Sequence, residues 1–310
     1  MQSKTEKKPL NPILGELFLG TYPSTTSQSI TLVSEQVSHH PPITAYHINT
    51  PYNITLTGHN GADLAFKSGY IVVKQTGHAQ LVLTLPDNTL ETYYITLPDL
   101  KIQGLLTFTP YVELDRATYI MSSTGYLATI KYAGAGWISG LKNSFTATLG
   151  KGKTILYKIS GQWTGDSTFT SSEHHAQKHV PFWSAKSHPP QHIVVSPIPN
   201  QTPWESRRVW KNVAEAIDRN DIETAGRYKS AIEIGQRKMR EDEAREGTSW
   251  NQRFFSWVAE DREAGELRGN LANLVGTSAL NNVGVVGSWK FAPDEEDRKA
   301  IADGRLFDPK

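Results

Sequence analysis

Between residues 16 and 170, runs rich in Thr, Tyr, Val, Ile and Leu are cut by Gly, Asn, Asp or Pro. The interruptions come about every eight to twelve residues, the spacing of short antiparallel strands. In NITLTG, Ile54 and Leu56 alternate with Thr55 and Thr57; in ILYKISG, Ile155, Tyr157 and Ile159 oppose Leu156, Lys158 and Ser160. A period of two places each set on one face of a strand. PDN at 86–88, GHN at 58–60 and GKGK at 150–153 read as hairpin turns. So many meandering strands predict a mainly β domain, either a large sandwich or a closed antiparallel barrel, and closure is the better way to remove edges.

The pattern changes after residue 170. Residues 171–203 contain five of the ten histidines and many prolines without a clear period, which predicts an irregular connection. Helix follows: WESRRVWKNVAEAIDRND from Trp204, then a charged amphipathic segment from Asp221 that Gly247 is placed to cap. SWNQRFFSW carries aromatics suited to packing on the β-structure, whereas residues 258–287, rich in Gly, Asn and Ala, predict a mobile stretch. The expected organisation is a mouth loop over 1–15, a β-barrel over 16–170, the connection 171–203 and a C-terminal helical subdomain over 204–310.

Composition narrows the function. The chain has 310 residues and is 38% hydrophobic, enough for a sizeable core. Its 32 basic and 31 acidic residues leave a net charge of +1, which gives no global field toward nucleic acid. Cysteine is absent, which removes disulfides, Cys-ligated zinc and thiol nucleophiles and fits a reducing compartment. With no apolar run long enough for a signal peptide or membrane span, a cytoplasmic protein is expected; a monomer is the expected state.

The candidate chemistry centres on SEQVSHHPPITAY, where His39 and His40 precede Pro41 and Pro42. Adjacent strand residues face opposite ways, so the two imidazoles converge only if the Pro-Pro turn breaks that alternation. Zinc would need a third ligand, and Glu35 is poorly placed to be one. A catalytic dyad lacks a nucleophile at a recognisable spacing. Hydrogen bonding to a phosphate fits better, beside the plain alternative of histidines pinned by loop carbonyls. Lys229, Glu233 and Arg237 recur at helical i, i+4 and i+8, either as one functional face or as a solvated salt-bridged ridge. Lys4, Lys7 and Lys8 form a basic terminus, His175 and His179 share helical spacing in the irregular segment, and GAGWISG and GKGKT imitate phosphate loops without leading into a helix.

EQVSHHPP resembles the signature of the oxysterol-binding-protein-related family of lipid-transfer proteins. KKPLNPILGELF at 7–18, SGLKNSF at 139–145, ISGQW at 159–163, ESRRVW at 205–210 and the Lys229, Glu233, Arg237 helix follow in family order. The likeness spans Lys7 to about Trp257 and is greatest to short fungal members made of the ligand-binding domain alone. It implies a near-complete barrel around an apolar tunnel for one lipid, with phosphatidylinositol 4-phosphate as shared ligand and, in many members, an ergosterol- or cholesterol-type sterol in exchange. Carried over, His39 and His40 would hold the 4-phosphate, with Lys229 and Arg237 as cationic partners and Glu233 either orienting them or meeting an inositol hydroxyl. Lys8, Leu10 and Asn11 would meet the glycerol-phosphate end; Asn60 and Gln75 would line the tunnel.

The resemblance implies no catalytic residue, metal or cofactor, because moving a lipid breaks no bond. It implies transient peripheral contact with intracellular membranes. The family domain starts upstream of KKPLNP with a lid and a helical segment, so an N-terminally truncated member is expected, with sterol binding more affected than headgroup binding. The alternative function is a sensor or scaffold that engages headgroups without transport; a zinc hydrolase is the third reading.

Overall fold

The structure is a computed structural model that describes residues 10–23, 29–134, 141–172, 179–280, 287–304 and 306. In chain order the strands are β1 (Leu17–Tyr22), β2 (Ile30–His39), β3 (Pro42–Asn49), β4 (Ile54–Lys67), β5 (Tyr70–Thr84), β6 (Leu90–Thr96) and β7 (Asp99–Gln103). They continue with β8 (Tyr111–Asp115), β9 (Ala117–Ser122), β10 (Tyr126–Ala133), β11 (Ser144–Lys151), β12 (Thr154–Gln162), β13 (Asp166–Ser171) and β14 (Val180–Ser184). Helices α1 (Ser206–Val209), α2 (Lys211–Asp218) and α3 (Ile222–Glu246) follow, then β15 (Phe255–Val258), α4 (Arg262–Val275), β16 (Ser288–Phe291) and α5 (Glu295–Ala302). The class is mainly antiparallel β with C-terminal helices, as the strand pattern predicts.

The chain divides into two compact units. One joins β1–β3 to His192–Ser256 and to the chain from Trp289 onward. β2 pairs antiparallel with β1, Leu19 opposite Val33, and with β3, Glu35 opposite Ala45. Leu17, Leu19, Val33, Val37 and Ala45 pack with Phe254 and Phe255 in a buried cluster, so the FF pair of the aromatic segment docks on strands as predicted. Each such phenylalanine contributes about 2 to 3 kcal/mol of apolar burial. A second cluster of Ile13, Trp210, Val213, Ala216 and Ala225 ties the first loop to α2 and α3.

The other unit contains Tyr52–Gln191 and Trp257–Ser288. Its strand order is β4-β5-β6-β9-β10-β11-β12-β13-β14, with β7 branching from β5 and carrying β8. GHN at 58–60 is no turn: β4 runs through it, with Gly58 opposite Ala79 and Asn60 opposite Gly77. On the facing strand it is Gly77 that marks a close approach, since a Cβ there would lie 2.1 Å from the His59 carbonyl oxygen. PDN and GKGK do turn, β5 into β6 and β11 into β12.

Two further expectations are corrected. The stretch 171–203 holds β14, which pairs with β13. Residues 258–287 are not merely loose, because α4 buries Ala264, Leu267 and Leu271 against Tyr94 and Met121. Its few apolar residues fall on one face, and that spacing outweighs a poor average composition. The helices of 204–310 consequently divide, α4 lying in the second unit and α1 to α3 in the first.

Candidate functional site

The cavity that gathers half of the candidate residues lies wholly within the unit of β1–β3. It has a volume of about 240 Å³ and is lined by Asn11, Pro12, Ile13, His39, Trp210, Lys229, Glu233, Gln236, Arg237 and Arg240. Four stretches of the chain build it: the loop before β1, the end of β2, Trp210 at the junction of α1 and α2, and the middle of α3.

The loop is anchored by Glu16. Its Oε2 accepts from the Ile13 amide and from Trp210 Nε1, both at 3.0 Å, and its Oε1 accepts from Ser206 Oγ at 2.7 Å. One carboxylate thereby sets Ile13 and Trp210 as adjoining parts of the wall. Gly15, at φ 78°, lets the loop pass beside an indole: a Cβ there would stand 2.2 Å from Trp250 Cζ2. The position requires glycine both for space and for its left-handed backbone.

The end of β2 is shaped by a register shift between Gln36 and Ser38. Gln36 is buried; its Oε1 accepts from Thr44 Oγ1 at 2.6 Å and its Nε2 donates to the Ser38 carbonyl at 2.8 Å. His39 pairs with Pro42, leaving His40 and Pro41 as the turn, with a cis His40–Pro41 peptide. Strand alternation stops there, and the two imidazoles meet edge to face at 4.6 Å between centroids. Only His39 lines the cavity; His40 is exposed beside it. Buried His39 Nδ1 has no hydrogen-bond partner among the described residues. Burial, then the neighbouring His40 and Arg240, push its pKa below the usual imidazole value, so the free site holds it neutral.

α3 supplies the charge. Asp221 caps its start by accepting from the Thr224 amide, and Gly247 closes it in the left-handed conformation, as the sequence predicts. Lys229 donates to Glu233 at 2.7 Å, and this bond with nearby Lys229 and Arg237 holds the Glu233 carboxyl below its ordinary range. Glu233 thus offsets Lys229, and Arg237 and Arg240 remain as positive charge on the cavity wall. Gln236 and Arg240, which the sequence reading passed over, also line the cavity, Arg240 about one turn beyond Arg237.

Other predicted residues lie elsewhere. Leu10 packs against the Trp210 cluster and borders a neighbouring groove. Lys8 lies outside the described residues. Asn60 and Gln75 belong to the other unit, where Asn60 Nδ2 donates to Gln75 Oε1 at 3.5 Å and Gln75 Nε2 to the Pro98 carbonyl at 2.6 Å. Glu35, weighed as a zinc ligand, is fully buried and accepts from the Arg253 and Phe254 amides, both at 2.8 Å. Its role is structural.

Comparison with known proteins agrees with the motifs. A family model described as Oxysterol-binding protein matches residues 1–218. Over 262 residues the chain is 45% identical to Protein kes1 of Schizosaccharomyces pombe, covering 83% of this chain and 67% of that protein. Over 266 residues it is 44% identical to Protein KES1 of Mycosarcoma maydis, covering 85% of this chain and 69% of the relative. The structure matches that of the Osh1 ORD domain in complex with ergosterol at a TM-score of 0.72 and 20% identity, over 98% of this chain and 72% of that one. It matches Osh3 ORD in complex with PI(4)P from Saccharomyces cerevisiae at 0.64 and 17% identity, over 97% and 74% of the two chains. These two likenesses establish the shared fold. Together, the family model, the fungal identities and that fold show that the chain belongs to the oxysterol-binding protein family.

Proposed function

We propose that the protein is a non-vesicular lipid carrier that takes the headgroup of phosphatidylinositol 4-phosphate into the cavity between His39 and α3 and moves this lipid between intracellular membranes. The observation that carries the reading is His39 Nδ1, buried and without a partner among the described residues, in a cavity shared with Lys229, Arg237 and Arg240. A phosphate monoester bears close to two negative charges and several acceptor oxygens, so it needs convergent donors and cations. An unsatisfied imidazole nitrogen and two arginines meet that need, with Lys229 shared between Glu233 and the ligand. Asn11 stands at the same wall for the glycerol-phosphate end, with Leu10 and Lys8 as its proposed companions.

Family members solved with PI(4)P and with ergosterol support lipid as the cargo class. A sterol is the proposed second cargo, for which the Asn60–Gln75 pair on β4 and β5 offers polar groups. The carrier acts as a peripheral protein: no helix among the described residues is long and apolar enough to cross a membrane. No step requires a cofactor or a metal.

The test is extraction of phosphatidylinositol 4-phosphate from liposomes. His39→Ala combined with His40→Ala is expected to lower extraction at least roughly tenfold, the effect of losing a charge-assisted hydrogen bond. Extraction equal to wild type in a variant of unchanged melting temperature would sink the assignment. Transfer from donor to acceptor vesicles separates a carrier from a sensor, which would bind without delivering.

A further inference from the structure

The loop joining β7 to β8 spends apolar surface where folding gains nothing from it. Leu106 is 80% exposed and Phe108 91% exposed, and Phe108 sits at φ 54°. A bulky side chain in that region is strained, and glycine or asparagine would relieve it. The loop is nonetheless ordered from within. Thr109 donates its amide to the Gly104 carbonyl at 3.1 Å, Thr107 Oγ1 reaches the same carbonyl at 3.1 Å, and the Thr107 and Thr109 hydroxyls bond at 2.9 Å. These bonds turn the polar side chains onto the loop's own backbone and leave the apolar ones outside.

Its neighbours extend the pattern. Leu106 lies against the β4–β5 turn, where a Cβ on Gly69 would come within 2.9 Å of it, and that hairpin carries Phe66, 73% exposed, and exposed Lys67. At the loop's far end, exposed Lys142 sits 3.8 Å over the Tyr111 ring. Neither lysine is ion-paired among the described residues. Protruding apolar tips flanked by free lysines fit a bilayer that offers hydrocarbon below an anionic headgroup layer. A protein partner would need a matching hollow for each tip; a membrane needs none.

We infer that the β7–β8 loop is a membrane-docking wedge in which Leu106 and Phe108 enter the acyl region of an anionic leaflet while Lys67 and Lys142 meet its headgroups. The inference rests on the lipid-carrier reading for its purpose, but its observations are independent of the headgroup cavity. The full chain has no cysteine, so Phe108→Cys and, as control, Ser160→Cys on exposed β12 can each carry a single environment-sensitive fluorophore. With vesicles of phosphatidylcholine and phosphatidylserine free of phosphoinositide, the label at 108 is expected to shift to the blue and be quenched by spin-labelled acyl chains, while the label at 160 stays aqueous. Leu106→Asp with Phe108→Asp is expected to lower vesicle sedimentation roughly tenfold, at an unchanged melting temperature. His39→Ala, in contrast, should still sediment. A label at 108 that stays aqueous, or sedimentation indifferent to the aspartates, would overturn the wedge and leave a protein partner as the occupant. Intact docking with failed phosphoinositide extraction would instead count against the headgroup cavity.

Discussion

At the scale of single residues, burial and charged neighbours set the protonation of the site's side chains. Neutral in the free protein, His39 meets an incoming phosphate whose charge favours the imidazolium. Its pKa therefore rises on binding, and the complex takes up a proton. Affinity should strengthen as pH falls through the bound-state pKa and level off below the depressed free-state one. Calorimetry with a soluble short-chain phosphatidylinositol 4-phosphate, in buffers of different ionisation enthalpy, should detect proton uptake at about pH 7, and His39→Gln should abolish it. Glu35 makes the opposite case of a charge with no ligand role. Burial raises its carboxyl pKa despite the hydrogen bonds from Phe254 and Arg253. Truncating Glu35→Ala orphans two amides and should destabilise the fold by about 3 kcal/mol, read by urea denaturation.

At the scale of elements, α3 is a long, exposed helix whose sequence is better suited to presenting charge than to packing; Ala225 is its buried residue among those described. Gly235 lies in its interior, exposed, with nothing among the described residues near an added Cβ. Gly235→Ala should therefore raise stability by about 0.5 to 1 kcal/mol, visible as a higher melting temperature. Lipid extraction should not change, since residue 235 is absent from the cavity wall. The β2–β3 hairpin is the contrasting element: its buried Gln36 bonds both strands, and the register shift before Ser38 aims His39 at the cavity. Bulges commonly redirect a side chain in this way.

At the scale of the whole molecule, each unit carries a histidine whose protonation burial opposes strongly. His47, stacked on Phe291, and His59, beside Trp257, both have pKa values pushed down to about 4. Folded-state values below the unfolded 6.5 mean that the unfolded chain binds more protons between those limits. Stability is then complete above about pH 6.5 and falls toward pH 4, by on the order of 3 kcal/mol for each histidine. Melting temperatures across this range should drop steeply, and the imidazole proton resonances of both residues should not titrate above about pH 5. A melting curve flat down to pH 4 would contradict both burial-driven shifts.

The sequence by itself determined what depends on neighbours along the chain. Strand alternation, the turns at 86–88 and 150–153, the capped helix from Asp221 to Gly247 and the family motif were all legible, because backbone periodicity and cap chemistry act over a few residues. Tertiary structure decided which of two adjacent histidines enters the cavity, since a register shift and a turn separate them. It also decided that Glu35 serves the backbone of Arg253 and Phe254, and that Gln236 and Arg240 join the wall beside Trp210. α4 was misread for the same reason: a helix with little apolar surface is stable only against the partner that receives its Leu267 and Leu271, and that partner, Tyr94 with Met121, is remote in sequence.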